Sequence, residues 1–444
     1  MENLLDKIYR LEQQHDKLDP ELVKRKNIKL GLRNQDGTGV VAGITSKGLV
    51  VARKRDRHGK KVPIPGKLIY CGYDVEEIVA KLDEEGRYGF AETVYLLLTG
   101  ELPTVQDLKG FTDELGRRRP LPDMAKKIIR FNSENDDQMG ALHGAVAALH
   151  RFDHNPRSID IRDVTRQCID LIAKFPAIIA YNYHVMRARG KAAEFIEPDP
   201  GMSTAESFFY MLQGKVPDPL VTRAFDLCLI LHADHGGGNN STFTVRTVSS
   251  ALTDTYMAIC AGVASLAGHL HGGANEAVMR MMDDIKRSVR DWTDDGEIHA
   301  YLTGVMKKRH GDGSGKIYGM GHAVYTISDP REVILREKAR LFAERFGRMD
   351  EYNLYVKVAD QALRVIREVK GIEVCVNVDF FSGFVYDMMG IPQELFTPIF
   401  AMSRVSGWSA HRIEEIIQGK LIRPDYISSI EGAYKYVPIS ERGN

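Results

Sequence analysis

From Asp74 onward the chain repeats one kind of unit, an apolar stretch with helical spacing bounded by capping and stop residues. Asp74-Val75-Glu76-Glu77 reads as a capped start with acids in the first turn, where they face the positive end of the helix dipole. The stretch from Phe90 to Leu98 ends at Gly100 with Pro103 just beyond, a common helix stop. Segment 137–150 runs on to Asp153, and segments 165–189 and 204–212 close at Gly190 and Gly214. Segment 221–232 is apolar nearly all round, which predicts a central buried helix. Segment 240–267 is rich in small residues and reads as two closely packed helices. With no alternation of strand and helix and no repeat of fixed period, the fold class predicted is mainly α.

The stretch before Asp74 is the exception. Val40-Val41-Ala42 and Leu49-Val50-Val51 flank Ser46-Lys47-Gly48 and predict a short strand–turn–strand unit. The basic run from Arg53-Lys54-Arg55 to Lys60-Lys61 predicts a solvated loop, because no aromatic residue is interleaved for base stacking.

At 444 residues the chain has room for two or more domains. Lys+Arg and Asp+Glu both number 60, and a net charge of zero argues against wholesale binding to nucleic acid or an anionic membrane. No apolar run approaches the length of a membrane span. Residues 1–17 place Leu4, Leu5, Ile8 and Leu11 among charges, the pattern of an amphipathic helix and not of a signal peptide. Cys71, Cys168, Cys228, Cys260 and Cys375 are odd in number, dispersed and mostly set in apolar runs. They predict reduced thiols and a cytoplasmic protein.

Three distant segments each place an ionisable side chain among glycines or small residues: His269-Leu270-His271-Gly272-Gly273, Gly319-Met320-Gly321-His322-Ala323 and Asn377-Val378-Asp379-Phe380-Phe381-Ser382-Gly383. Glycines let a ligand approach the backbone and leave amides available as donors. Asp379 lies between Val374-Cys375-Val376 and two phenylalanines, so partial desolvation should raise its basicity. Arg331 in Asp329-Pro330-Arg331 adds a cation that can hold a carboxylate. Two irregular stretches, 311–315 and 371–378, precede His322 and Asp379, which puts the site on loops that meet helices. Together these residues describe an acid–base site for an anionic substrate. A metal-dependent hydrolase using His232, Asp234, His235, His269 and His271 is a remote alternative, as is a non-enzymatic helical scaffold. Gly315-Lys316 lacks the glycine and hydroxyl residue of a phosphate-binding loop, and Gly319-x-Gly321 is too short for a dinucleotide fingerprint.

Four motifs occur in order: Leu231-His232-Ala233-Asp234-His235, His271-Gly272-Gly273-Ala274-Asn275-Glu276, Gly319-x-Gly321-His322-Ala323-Val324 ahead of Asp329-Pro330-Arg331, and Val378-Asp379-Phe380-Phe381-Ser382-Gly383. On these the chain resembles the citrate synthase family over nearly its whole length. It is most similar to the bacterial citrate/2-methylcitrate synthase group through Gly31-Leu32-Arg33-Asn34-x-Asp36-Gly37-Thr38-Gly39-Val40 and the 236–242 segment. The resemblance implies a two-domain helical fold with a short β segment near the N-terminus. Residues 1–274 plus 387–444 would form a large domain and 275–386 a small one. It implies condensation of acetyl-CoA with oxaloacetate and thioester hydrolysis, or the same reaction of propionyl-CoA, with no cofactor or metal.

By the same resemblance Asp379 is the base, His271 the donor to the enolate oxygen and His322 the group polarising the ketone. His235, Arg331 and Arg404 hold oxaloacetate, and Arg423, in Ile422-Arg423-Pro424, reaches the neighbouring site of a homodimer. Ile317, Tyr318, Gly319, Met320 and Gly321 match the family's backbone contact to the CoA adenine. Three positions depart from the pattern: Thr326 where a basic residue is common, Cys71 where an arginine is common, and His269 where relatives usually have proline. Gly407-Trp408-Ser409-Ala410-His411 follows Arg404 without an assigned role.

Overall fold

The computed structural model describes residues 3–15, 18–132, 136–189, 191–430, 432–433 and 435–442. Among them it shows eighteen α-helices and one small three-stranded antiparallel sheet, the mainly α architecture expected. The chain divides into two compact units, Met1–Ile44 and Thr45–Asn444.

The first unit holds the helices Leu4–His15 and Pro20–Arg25 and a 3-10 turn at Leu30–Leu32. The second of these helices is capped by Asp19, whose carboxylate accepts the Glu21 amide. A tight turn follows in which Gly37 takes φ +78° and Asp36 accepts the Thr38 amide. It brings Arg33 opposite Gly39 as an isolated antiparallel bridge.

The sheet of the second unit corrects the expected strand–turn–strand unit. Residues 40–42 form no strand. The hairpin instead pairs Gly48–Arg55 with Lys61–Tyr70, and a short third strand, Tyr73–Asp74, follows. The basic run read as a loop is therefore mostly strand, with its turn at 56–60. Asp56 sets that turn by accepting the amides of His58 and Lys60, while Gly59 supplies φ +78°. The strands were hidden because their outward faces carry lysine and arginine, which weakens the apolar alternation.

The helical boundaries follow the caps closely. Val75–Glu85 starts at Asp74 and stops at Gly86, and Phe90–Thr99 stops at Gly100 with φ +88°. Gln138–Leu149 starts at Asp137, and Thr204–Gln213 opens with a reciprocal capping box between Ser203 and Glu206. The long helix Ile161–Ala188 begins earlier than expected, at an Asp160 cap, and runs through Pro176. Gly190, the expected stop, lies outside the described residues, and Arg189 itself is left-handed with φ +47°. Segment 240–267 is two helices, Asn240–Ser250 and Thr255–Leu266.

The core of this unit centres on the helix Phe396–Gln418, whose residues from Phe396 to Glu415 are almost all buried, Trp408 fully so. Around it pack Phe90–Thr99, Ile161–Ala188, Pro219–His232, Asn240–Ser250 and Thr255–Leu266. The helices Ala274–Ser288, Asp295–Met306, Pro330–Phe346, Met349–Lys370 and Asp379–Met388 pack chiefly on one another. Tyr355 and Phe384 stack there with ring centroids 4.5 Å apart, beside Phe380 and Phe381.

Glycine makes the closest helix contacts possible. The Gly407 amide donates to the Ala233 carbonyl at 3.1 Å, and a Cβ at Gly407 would overlap that oxygen and the Asp234 carboxylate. Gly407→Ala should accordingly cost about 1–3 kcal/mol through overpacking. A lowered midpoint in urea unfolding with unchanged slope is the outcome expected, and an unchanged midpoint would show that the helix can shift without cost.

Candidate active site

The end of the helix Pro219–His232 and the turn after it carry two buried histidines. His235 is 7% exposed, and its Nε2 has no hydrogen-bond partner in the structure. Burial first, and then the positive charge of Arg331, hold its pKa well below the usual imidazole range. It is a neutral ring at physiological pH. Its ring lies 5.0 Å from that of His322, edge to face.

Arg404 comes from the helix Phe396–Gln418 and is wholly buried. Its Nε donates to the His232 carbonyl at 2.7 Å, and its guanidinium sits 4.7 Å above the Phe400 ring. Both Nη atoms are buried and have no hydrogen-bond partner among the described residues. Burial lowers its pKa to about 10, with the charge of Asp234 opposing, so it remains a cation. Two buried, unpaired donors on a cation are costly to leave unmade, and a carboxylate would satisfy both at once.

Arg331 lies in the first turn of Pro330–Phe346 and is 3% exposed. Asp329, the cap of that helix, grips it at two points, Nε to Oδ1 at 3.0 Å and Nη2 to Oδ2 at 2.7 Å. Burial alone would disfavour its charge, but the Asp329 pair more than offsets that and raises its pKa. Asp329 also accepts the Val378 amide at 3.2 Å, tying Arg331 to the residue before Asp379.

Asp379 opens the helix Asp379–Met388 and is half-buried. Burial raises its pKa to about 6 although Arg331 pulls the other way, as the flanking apolar residues lead one to expect. The loop before it pairs with the loop before His322. Gly321 donates to the Cys375 carbonyl at 2.8 Å, Asn377 donates to the Gly319 carbonyl at 2.9 Å, and Met320 bridges Val376. Gly319 takes φ +78°, and a Cβ there would meet Phe380 at 2.6 Å, so this approach requires glycine.

The proton positions of two imidazoles follow from their partners. His322 Nδ1 accepts the amides of Val324 and Tyr325 at 3.0 and 3.1 Å, so its hydrogen resides on Nε2. The Tyr325 ring stacks on it with centroids 4.6 Å apart. His271 Nε2 faces the N-terminus of Asn240–Ser250, 3.4 Å from the Ser241 amide and 2.9 Å from its hydroxyl. An amide can only donate, so Nε2 accepts and Nδ1 carries the hydrogen. Burial, then Arg404, lowers the His271 pKa to about 4, which makes it a neutral donor. Trp408 Nε1 donates to the same Ser241 hydroxyl at 3.1 Å.

The fold thus gathers His235, His271, His322, Arg331, Arg404 and Asp379 around one region. Arg423 is not among them within the chain. It is exposed on the irregular segment after the last long helix. Of the loop residues, Ile317 and Gly319 are buried and Tyr318, Met320 and Gly321 half-buried, with the Tyr318 hydroxyl 2.5 Å from Asp312. Asp329, Ser241, Phe400 and Tyr325 touch the gathered residues but were not singled out from sequence. Phe400 alone had a readable signal, its spacing of one helical turn from Arg404.

A pocket of about 760 Å³ lies beside the His271 segment, with Asp136, Asp137, Glu276 and Glu394 on its walls and none of the gathered residues lining it. Among the described residues no group of three His, Cys, Asp or Glu is placed to hold a metal ion, so the five side chains of the hydrolase alternative form no such cluster.

Comparison with known proteins agrees with this geometry. The family model described as "Citrate synthase, C-terminal domain" matches residues 38–425. The citrate synthase of Haloferax volcanii is 37% identical over 384 residues, covering 85% of this chain and 93% of that one. A 2-methylcitrate synthase of Shewanella oneidensis is 34% identical over 383 residues, covering 84% and 92%. Among solved structures, the complex of Thermoplasma acidophilum citrate synthase with carboxymethyl coenzyme A and oxaloacetate superposes with a TM-score of 0.77 at 30% identity, covering 94% of this chain and 99% of that one. A match of this extent, over the residues that build the site, leaves one conclusion: the chain belongs to the citrate synthase family.

Proposed function

We propose that the protein condenses acetyl-CoA with oxaloacetate and hydrolyses the resulting thioester to citrate and CoA. The observation that carries this reading is two imidazoles whose partners fix which nitrogen donates, and a basic carboxylate, gathered beside a buried, unsatisfied arginine. Arg404, Arg331 and His235 hold the oxaloacetate carboxylates. Asp379 takes a proton from the thioester methyl while His271 Nδ1–H donates to the oxygen that becomes the enolate. The enolate carbon attacks the ketone as His322 Nε2–H donates to its oxygen, and water then cleaves the thioester. The neutral form of His271 suits donation, because an imidazolium would surrender its proton instead of sharing it.

The named 2-methylcitrate synthase relative favours propionyl-CoA as a second acyl donor. Free thiol release, measured with oxaloacetate and each acyl-CoA in parallel, tests both readings. No release with either overturns the condensation.

The 317–321 loop is the proposed adenine contact, with Ile317, Tyr318, Gly319, Met320 and Gly321 adjoining His322. The segment 275–386 is inferred to close as a small domain, supported by the mutual packing of its helices. All five cysteines are free, which fits a reducing cytoplasm, and no helix among the described residues is long and apolar enough to cross a membrane. A homodimer is supported by the tail that carries Arg423. Leu421, Tyr426, Ile427 and Ile430 are all exposed there within one chain, while the Ile422 amide donates to Ser250 at 3.0 Å.

Asp379→Asn should lower turnover by roughly 10²–10⁴ with oxaloacetate binding retained. In the wild type kcat/KM should fall as pH drops through about 6, where Asp379 takes up its proton. The same shift has a sign for stability. Because the folded pKa lies above the unfolded value, the carboxylate costs stability at pH 7 and none once both states are protonated. The variant should therefore melt above the wild type at pH 7, and the difference should vanish below about pH 4. A variant that turns over normally removes Asp379 from its role.

Arg423→Ala should weaken oxaloacetate use without unfolding the chain, since only a planar guanidinium grips a carboxylate at two points. Mixing Arg423→Ala with Asp379→Asn subunits, each impaired alone, should restore part of the activity. One site of each mixed dimer then carries both lesions and the other neither. No recovery despite demonstrated subunit exchange would place Arg423 outside the neighbouring site.

A further inference from the structure

In the Gly407-Trp408-Ser409-Ala410-His411 stretch, His411 is an ionisable side chain that the steps above do not use, and it is wholly buried. His411 lies on the same helix as Arg404, two turns further on. Arg246 Nη1 is 3.0 Å from His411 Nδ1. A guanidinium has no lone pair to offer, so Nδ1 accepts and the ring hydrogen sits on Nε2. That hydrogen points to Asp234 Oδ1, 3.2 Å away.

The outer end of this relay is anchored as firmly as the inner one. Arg246 Nη1 donates to Glu414 at 2.6 Å and Nη2 lies 2.9 Å from Glu415. Glu414 also accepts the amide and hydroxyl of Ser46 at 2.8 and 3.0 Å. Asp234 is itself unexposed, and its second oxygen accepts the Gly236 amide at 2.9 Å. It sits in sequence between His232, whose carbonyl holds Arg404 Nε, and His235. Its charge is the largest favourable one acting on Arg404.

We propose that Arg246, His411 and Asp234 form a positioning relay for the oxaloacetate site: His411 fixes Asp234 in one orientation as the resident counter-charge of Arg404 and thereby sets the turn that aims His235. The counter-charge acts without occupying either Nη of Arg404, which leaves both for the substrate carboxylate. A relay of this kind keeps a buried cation charged and empty-handed between turnovers. A purely structural network would only tie the helix to the 234–236 turn, and its loss would not single out one substrate.

This inference rests on the condensation reading, and the experiment separates the two. Wild-type thiol release is measured first, and its absence overturns both. With an active wild type, His411→Leu removes the donor to Asp234 while filling similar space. The oxaloacetate KM should rise ~10–100-fold, the effect of losing one hydrogen bond to a charged group. The acyl-CoA KM and kcat should change by less than about 3-fold. His411→Gln, whose amide can donate to Asp234, should return the oxaloacetate KM to within about 3-fold of wild type. A folded His411→Leu with an unchanged oxaloacetate KM, an equal rise in both KM values, or no rescue by glutamine overturns the relay while leaving the condensation intact. Should His411→Leu not fold, Asp234→Asn decides: it keeps the shape and removes the counter-charge. Its oxaloacetate KM must rise at least about 10-fold with the acyl-CoA KM unchanged, and anything less overturns the proposal.

Discussion

A cation that the fold buries without satisfying organises this structure. Arg404 is enclosed on every side, its Nε is spent on the His232 carbonyl, and its two remaining nitrogens find no hydrogen-bond partner among the described residues. Burying a charge is expensive unless the surroundings compensate it, and the surroundings here do so indirectly. Phe400 places its ring face beneath the guanidinium, and Asp234 supplies negative charge from the adjoining turn. The helix Phe396–Gln418 is the common support. Phe400, Arg404, Trp408 and His411 recur at intervals of four, four and three residues, so one helical face carries them all. Through that face the ring of Phe400, the indole of Trp408 and the imidazole of His411 reach the neighbourhoods of His271 and His235.

Desolvation then tunes the rest of the site in two opposite directions from one cause. It pushes Asp379 up to about 6 and His271 down to about 4, since burial opposes charge of either sign. The result is a carboxylate that is more basic than usual and an imidazole that stays neutral, the combination a weak carbon acid needs. Local donors complete the arrangement. Backbone amides fix the His322 tautomer and the start of Asn240–Ser250 faces His271, so neither ring depends on the bound ligand for its proton position.

The helical fold was legible in large part because its boundaries are chemical. Asp74, Asp137 and Ser203 cap where their side chains can accept a free amide, and Gly100 and Gly214 stop where a left-handed residue is required. The hairpin was misread for an equally local reason. Its strands present lysines and arginines to solvent, and its turn rests on Asp56 and Gly59, not on the Ser46-Lys47-Gly48 sequence that looked like one. The site residues on glycine-flanked segments were visible one by one, as His271, His322 and Asp379. Asp329 and Ser241 were not, because an acid capping a helix and a serine near a helix start look the same whether or not a functional residue leans on them.

The sequence by itself determined the residue chemistry: which segments are helical, which side chains can transfer a proton, and which cations can hold an anion. Those properties reside in single residues and their immediate neighbours, where caps, periodicity and glycines act over a few positions. Only the tertiary structure decided the partnerships, and the charge states beyond the raised basicity that apolar flanks predict for Asp379. Arg404 meets Asp234, Asp329 joins Arg331 to Val378, and His411 takes its tautomer from Arg246, each across a distance in sequence or a buried contact that no local pattern records. A pKa depends on how much water the whole fold removes and which charges it brings near, and that is a property of packing.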